Sequence, residues 1–513
     1  MTAGHAAASG TWGQATPAVF GSGVQSTTPY AWLNAVSCGS VGNCTATGYF
    51  GNAAGGYEAF TLTSTAGVWG QATPAVFGSG VQSTTPDATL TAVSCGSAGN
   101  CTAAGRFRNA AGGYEAFTLT STAGVWGQAA PAVFDSGVQN TASDAYFTSV
   151  SCVSAGNCTA AGYFRNAAGG SEAFTSTSTA GVWGQATPAV FAAGVQNTNP
   201  DASFESVSCG SAGNCTAVGQ FRNFAGGLEA FTMTSTAGVW GQATPAVFAS
   251  GVQNTNPDAY FFSVSCRSAG NCTAVGYFRN VAGGIEAFTS TSTAGVWGQA
   301  TPAVFAAGVQ NTTPDGSFNS VSCVSAGNCT AAGRFRSAAG GYEAFTLTST
   351  AGVWGQATPV VFGAGVQNTT PDATFTSVSC VSAGNCTAVG RFRNAAGGVE
   401  AFTLTSTAGV WGRPTPAVFG AGVQNTTPDA TLNSVSCTSA GNCTAAGRFL
   451  NAAGGYEAFT MPSIDNTPPS TNGATSDVSL PATGSDSSGP LVVALFAVVA
   501  GVAMMVRRRR LVD

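Results

Sequence analysis

The sequence predicts an all-β fold, an eight-bladed β-propeller followed by one C-terminal transmembrane helix, and three observations predict the ring. A 57-residue period runs eight times through the chain, marked by Trp12, Trp69, Trp126 and their successors to Trp411. A unit of that length is one supersecondary element that completes its core against neighbours. Each unit holds four short strand-like runs joined by Gly- and Asn-rich turns, the content of one propeller blade. The two ends of the array are incomplete in complementary ways, so that together they supply one blade.

Taken in order, residues 1–10 lack a basic start followed by an apolar stretch and are expected to be a signal-peptide remnant or disordered, with the true start upstream. Residues 11–461 are the repeats. In the unit Asp87 to Phe134, strands are expected at about Thr89–Cys95, Cys101–Arg108, Tyr114–Ser121 and Val125–Phe134, with Pro131 a candidate break in the last. Along the second run, Cys101, Ala103, Gly105 and Phe107 share one side and Thr102, Ala104, Arg106 and Arg108 the other. Small residues on both sides suit a sheet stacked between two others. Residues Thr11 to Phe20 carry a Trp strand with no three strands before it, and the last unit ends at Met461 without one. The strand around Trp12 is therefore expected to close the ring, which removes the free edges. An open linear β-repeat stack is the alternative.

All sixteen cysteines fall in Cys-x5-Cys pairs: Cys38/Cys44, Cys95/Cys101, Cys152/Cys158, Cys209/Cys215, Cys266/Cys272, Cys323/Cys329, Cys380/Cys386 and Cys437/Cys443. Their even number and local spacing predict eight disulfides and an oxidising compartment. Metal binding is the rival, but the chain has one histidine, His5, and no Cys-x2-Cys spacing. No metal or other cofactor is expected. Each disulfide closes a short loop as a local staple, worth roughly 2 kcal/mol in the chain-entropy picture.

The Ser-Val-Ser-Cys strand followed by Asn-Cys-Thr-Ala, repeated across 11–461, resembles the disulfide-bearing repeats of exported actinobacterial proteins. The resemblance implies a propeller-like fold and no particular reaction. From 462 to 479 the composition shifts to Pro, Ser and Thr, as expected of a flexible linker. Then come Leu480, Pro481, Ala482, Thr483 and Gly484, a polar spacer at 485–490, an apolar run at 491–506, and a tail at 507–513 that opens with Arg507, Arg508, Arg509 and Arg510. This order resembles the cell-wall sorting signal of Gram-positive surface proteins. It implies that a membrane transpeptidase, sortase, opens the Thr483–Gly484 bond and joins Thr483 to a peptidoglycan amine. The motif is a substrate with no catalytic role of its own.

The physical chemistry agrees. Sixteen apolar or small residues at about 1.5 Å each make a helix of about 24 Å, just short of a bilayer core. Four adjacent guanidinium groups hold the following tail on the cytoplasmic side, so the N-terminal bulk stays outside. Sortase, peptidoglycan and, before processing, the membrane are the partners this implies, on a Gram-positive, actinobacterial surface.

Every basic residue is an arginine, and the chain carries a formal charge of −5. Without lysine, isopeptide cross-links of the kind common in wall-anchored adhesins are excluded. A sparsely charged acidic surface is a poor phosphate binder, so nucleic acid is not an expected partner. Glu58, Glu115, Glu172 and their successors to Glu457 occupy one repeat position, and Asp87 to Asp429 another, with Tyr30 replacing the acid in the first unit. The glutamates are expected to pair with arginine across a hairpin, as Arg108 with Glu115, and the aspartates to serve turns. Equivalent carboxylates make a ring of like sites, and no departure from the repeat assembles an active centre. The Trp series is expected in the core, while Tyr30, Trp32, Tyr114 and Tyr342 are the candidates to stack on a sugar. Loops such as Val366 to Thr370 are candidate contact surfaces. The expectation is a displayed binding module for an unidentified extracellular glycan or protein and not an enzyme; a secreted glycosidase- or lyase-like propeller is the alternative.

Overall fold

The computed structural model describes residues 11–464. Residues 1–10, the sorting motif, the 491–506 run and Arg507 to Arg510 lie outside the described residues, as does the linker beyond 464. The described chain forms eight five-stranded antiparallel sheets. In blade 2 these are an inner strand Ala88–Ser97, then Asn100–Arg108 and Tyr114–Thr122, and two short outer strands, Val125–Trp126 and Ala130–Pro131. Both outer strands pair with Tyr114–Thr122. The expected fourth strand is thus split, and the break falls before Pro131. After Gly127 the chain leaves its own sheet, and the Ala129 N–H bonds to Val76 O of the preceding blade at 2.8 Å.

Ring closure follows the sequence expectation. Thr11 and Trp12 pair antiparallel with Ile464 and Ser463, and Thr16 and Pro17 with Thr460 and Phe459. The eighth blade is therefore built from Ala430–Ile464 and the N-terminal segment. Its inner strand, Ala430–Ser439, packs against the inner strand of blade 1, Ala31–Ser40, which excludes the open stack. Each inner strand donates to the one before it. The N–H of Cys38, Cys95, Cys152, Cys209, Cys266, Cys323, Cys380 and Cys437 bonds to a serine Oγ of the previous blade at 2.9–3.1 Å. That acceptor is the second serine of the Ser-Val-Ser-Cys strand. The first serine accepts the neighbouring valine N–H at six seams; Ala35 and Ala92 stand at the other two.

The core lies between blades as much as within them. Phe77, on the segment leaving blade 1, sits 4.7 Å from Phe107 and 5.1 Å from Phe117 of blade 2, ring centre to ring centre. Leu90, Phe107 and Phe117 are fully buried there, with Trp126 packed at the outer margin. Phe107 and Phe117 themselves meet edge to face, 5.7 Å apart, and such a pair adds about 0.5–1.5 kcal/mol beyond the area it buries. Gly105 is needed for a close approach: a Cβ there would stand 1.9 Å from Thr89 O, where a register shift between Leu90 and Ala92 brings the strands together.

All eight expected disulfides are formed: Cys38–Cys44, Cys95–Cys101, Cys152–Cys158, Cys209–Cys215, Cys266–Cys272, Cys323–Cys329, Cys380–Cys386 and Cys437–Cys443. Each lies directly across the first two strands, as Cys95 does opposite Cys101. The view of them as staples of short loops alone is corrected by their burial. The second cysteine of each pair, Cys44, Cys101, Cys158, Cys215, Cys272, Cys329, Cys386 and Cys443, is only 3–6% exposed and belongs to the core. Its Sγ stands 3.3–3.5 Å from a threonine Oγ1 of the preceding blade, from Thr444 against Cys44 round to Thr387 against Cys443. A disulfide sulfur has no proton, so the threonine hydroxyl is the donor. The bridges therefore pack the seams between blades as well as closing their own hairpins. Such a set belongs to an oxidising compartment and marks a secreted protein.

Candidate functional site

The inner strands begin at one mouth of the ring and reach the disulfides toward their other end. Cys44, Cys158, Cys215, Cys272, Cys443 and the other bridged cysteines are thus structural and take no part in the mouth. Residues two apart on a strand share a side, so Trp32 and Asn34, with their counterparts in each blade, point the same way. Four repeat positions whose chemistry changes from blade to blade meet at this mouth. The first reads Trp32, Thr89, Tyr146, Ser203, Tyr260, Ser317, Thr374 and Thr431. Opposite it across the strand pair stand Tyr49, Arg106, Tyr163, Gln220, Tyr277, Arg334, Arg391 and Arg448. The third is the Asn34 position, and the fourth, at the start of the third strand, holds tyrosine in blades 1, 2, 6 and 8 and smaller or aliphatic residues elsewhere. The eight units are thus alike in scaffold and unlike at the mouth, where departures from the repeat gather at one place.

Aromatic rings dominate one arc. Tyr30, Trp32, Tyr49, Tyr57 and Tyr456 lie within 5.6–6.3 Å of one another in a chain of contacts. The Arg448 guanidinium lies 3.8 Å from the Trp32 ring centre and 4.6 Å from that of Tyr456. A second group places Arg106 over Tyr114 and Tyr146 at 4.8 and 4.5 Å. A third joins Tyr260, Phe262 and Tyr277. All four sequence candidates for stacking, Tyr30, Trp32, Tyr114 and Tyr342, stand at the mouth, Tyr342 under Arg334 at 4.7 Å. Burial pushes the Tyr163 phenol up to about 12 and raises those of Tyr49 and Tyr277 further, so these rings present neutral hydroxyls.

The Asn34 position shows where the ring departs from its own rule. Asn34, Thr91, Thr148, Asn319, Thr376 and Asn433 each donate to a carbonyl of the next blade at 2.6–2.8 Å. Glu205 and Phe262 have no such donor. Glu205 instead accepts from Ser203 Oγ at 2.7 Å, while Phe262 packs on Tyr277.

Two expected roles are corrected. Strand register sets Glu115 opposite Phe107 and Arg108 opposite Tyr114. The glutamate therefore meets the turn asparagine, and Asn109 Nδ2 donates to Glu115 at 2.6 Å. The same Asn–Glu bond recurs in every blade but the sixth, where Ser337 replaces the asparagine. The aspartates do not serve turns through their side chains. Where the third strand begins with tyrosine, the phenol donates to the aspartate: Tyr114 to Asp87, Tyr342 to Asp315, Tyr456 to Asp429. Where it does not, arginine takes that place, as Arg222 on Asp201 at 2.9 Å and Arg279 on Asp258 at 2.7 Å. Blade 1 loses both partners together, with Tyr30 and Gly51 in their places. The Val366 to Thr370 loop is pinned to its own blade by Asn368 N–H on Arg393 O at 3.0 Å, and Asn368 Oδ1 takes the Thr370 N–H.

The mouth holds a cavity of about 580 Å³. Its walls include Arg334, Arg391 and Arg448 from three consecutive blades, Trp32 on one flank and Phe262 and Tyr277 on the other. Among the described residues no His, Cys, Asp and Glu side chains cluster in metal-ligand fashion.

No family model matches the chain, and no curated protein does. Solved structures with some likeness include a protein of unknown function from Dyadobacter fermentans, 12% identical over 65% of this chain and 97% of that one, with a TM-score of 0.34. A Trypanosoma rangeli sialidase with bound sialic acid is 10% identical, covers 77% of this chain and is spanned over only 55% of its own length, TM-score 0.36. An ulvan lyase of polysaccharide lyase family 25 is 9% identical over 89% of this chain and 95% of that one, TM-score 0.35. At these scores the fold stands on the strand pairings above, and activity in those proteins says nothing of this one.

Proposed function

We propose that this chain is an exported binding propeller, held on a Gram-positive wall through Thr483, that takes an extracellular glycan or protein ligand at its variable mouth. The observation that supports it is the meeting of four blade-to-blade variable positions around one cavity, while the scaffold positions repeat. A symmetric ring would give eight equal weak sites; this mouth gives one composite site with aromatic walls and a few polar groups, the usual make-up of a ligand pocket. The eight disulfides support export, and the order of the C-terminal segments supports anchoring. Probing glycan and protein arrays with the full chain and with Phe262→Ala/Tyr277→Ala tests the reading. Saturable binding lost in the double variant is expected. Binding unchanged by it moves the site elsewhere, and turnover of a bound oligosaccharide makes the protein an enzyme, the second class the sequence leaves open.

A further inference from the structure

The lining of the mouth cavity carries a charge opposite to that of the chain. Overall the protein is acidic, with a formal charge of −5. Around the cavity stand three arginines and a single carboxylate, Asp315, which already accepts from the Tyr342 hydroxyl. Blades 6, 7 and 8 are consecutive and use the same strand position, so Arg334, Arg391 and Arg448 form one arc. None of the three has a carboxylate partner among the described residues, where the ion pairs use a different set of arginines.

Their settings favour capture of a planar anion. Arg448 lies over Trp32 and Arg334 over Tyr342, so ring contacts hold both guanidinium groups in place; Arg448 also engages the Tyr456 hydroxyl, and five N–H donors on each group exceed the contacts made. The Arg391 side chain makes no hydrogen bond or ion pair among the described residues. A rigid fork of N–H donors matches a carboxylate better than a point cation does. A second observation points to a ligand: Thr431, 6% exposed and in the wall beside Arg448, has a hydroxyl with no hydrogen-bond partner. A buried hydroxyl left so is costly unless a ligand or water completes it. Across the cavity, Phe262 and Tyr277 supply an apolar wall, and about 580 Å³ is room for one or two sugar rings.

We propose that the Arg334–Arg391–Arg448 arc is an anion subsite for the carboxylate of an acidic saccharide, whose ring packs toward Phe262 and Tyr277. This deepens, and rests on, the reading of the mouth as the binding site. Trp32 is a positioning residue in this account, since it holds Arg448.

Titration calorimetry of the full chain tests it, using uronate-bearing and sialylated oligosaccharides, their carboxyl-reduced counterparts, a sulfated neutral oligosaccharide and an acidic peptide. At least one carboxylated sugar is expected to bind, with at least tenfold weaker binding after carboxyl reduction and a steady loss of affinity with added salt. Arg391→Gln, which breaks no internal contact, should weaken that sugar at least tenfold while leaving the unfolding midpoint in place. Trp32→Phe should weaken it less. Equal affinity for the reduced sugar, an unaffected Arg391→Gln variant, or binding of the sulfated sugar or peptide alone would overturn the subsite. A neutral glycan that binds and is lost in Phe262→Ala/Tyr277→Ala would sink the subsite and keep the mouth. Absence of any saturable binding, or binding that ignores both variants, would sink both.

Discussion

Ser37 Oγ accepts the backbone N–H of Cys95 at 3.0 Å, so a side chain of one blade completes the backbone of the next. The same bond recurs around the ring, tying the disulfide-bearing end of each inner strand to its neighbour. Replacing Ser37 with alanine leaves that N–H unpaired at a packed seam, and a cost of about 1–3 kcal/mol is expected from urea unfolding. Ala35→Ser, which restores the acceptor that blade 1 lacks for Val93, should raise stability by about 0.5–1.5 kcal/mol in the same assay.

Blade 6 lacks the turn lock of the other blades. Ser337 stands where the others have asparagine, and its buried hydroxyl has no partner. Ser337→Asn should let the new amide donate to Glu343 and accept the Gly341 N–H, as Asn109 does with Glu115 and Gly113. A gain of about 1–2 kcal/mol is expected, since one of the two bonds is charge-assisted. The reverse change in blade 2, Asn109→Ser, should lose a similar amount.

At every seam but one, an alanine N–H reaches a valine carbonyl of the preceding blade, as Ala357 does to Val304 and Ala15 to Val418, both at 2.8 Å. At the seam between blades 6 and 7 that position is Pro414, which has no N–H to give Val361. A lateral groove lined by Val361, Trp411 and Arg413 lies there. Pro414→Ala should create an amide as slow to exchange with deuterium as that of Ala357; rapid exchange would show that the neighbouring Arg413 and Val360 keep this seam apart by themselves.

Alkaline stability has a definite sign. Burial holds the Tyr163 pKa up at about 12 and raises those of Tyr49 and Tyr277, against about 10 in an unfolded chain. The folded state therefore keeps protons that the unfolded state gives up. This contribution is whole below about pH 10 and is lost as pH rises through the folded values. The urea midpoint should be flat from pH 8 to 9.5 and fall between about 10 and 12. Tyr163→Phe should make that fall shallower, because the variant keeps a neutral ring in both states.

The anchoring proposal predicts a mature protein that ends at Thr483, joined to wall material, released by muralytic digestion and not by detergent. Mass spectrometry of the C-terminal peptide decides it. An intact Arg507–Arg510 tail on the mature chain is the opposing result.

The architecture was legible because it is written in spacing. The period of Trp12 to Trp411, the opposed cysteines and the truncated ends specify eight blades and the strand that closes them. Pairing at the hairpin turns was not legible, because the length of the Asn109 turn sets the register, and that register sends Glu115 to Asn109 and away from Arg108. The mouth was half legible. Tyr30 and Trp32 stood out as departures from the repeat, but Arg334, Arg391 and Arg448 looked like ordinary strand arginines next to Arg336 and Arg393. What separates them is depth: Arg393 reaches an exposed aspartate, whereas Arg391, two residues earlier, faces the cavity. Comparing the repeats column by column, with period two along each strand, is the signal that finds them.

The strand Tyr456–Ile464 is held on both sides, by Asn442–Leu450 and by the N-terminal Thr11–Trp12 pair. Under the anchoring proposed through Thr483, traction from the wall would run along that strand and shear two rows of hydrogen bonds at once, instead of peeling a loose edge. On that proposal the residues that finish the circle would also be the ones to take mechanical load.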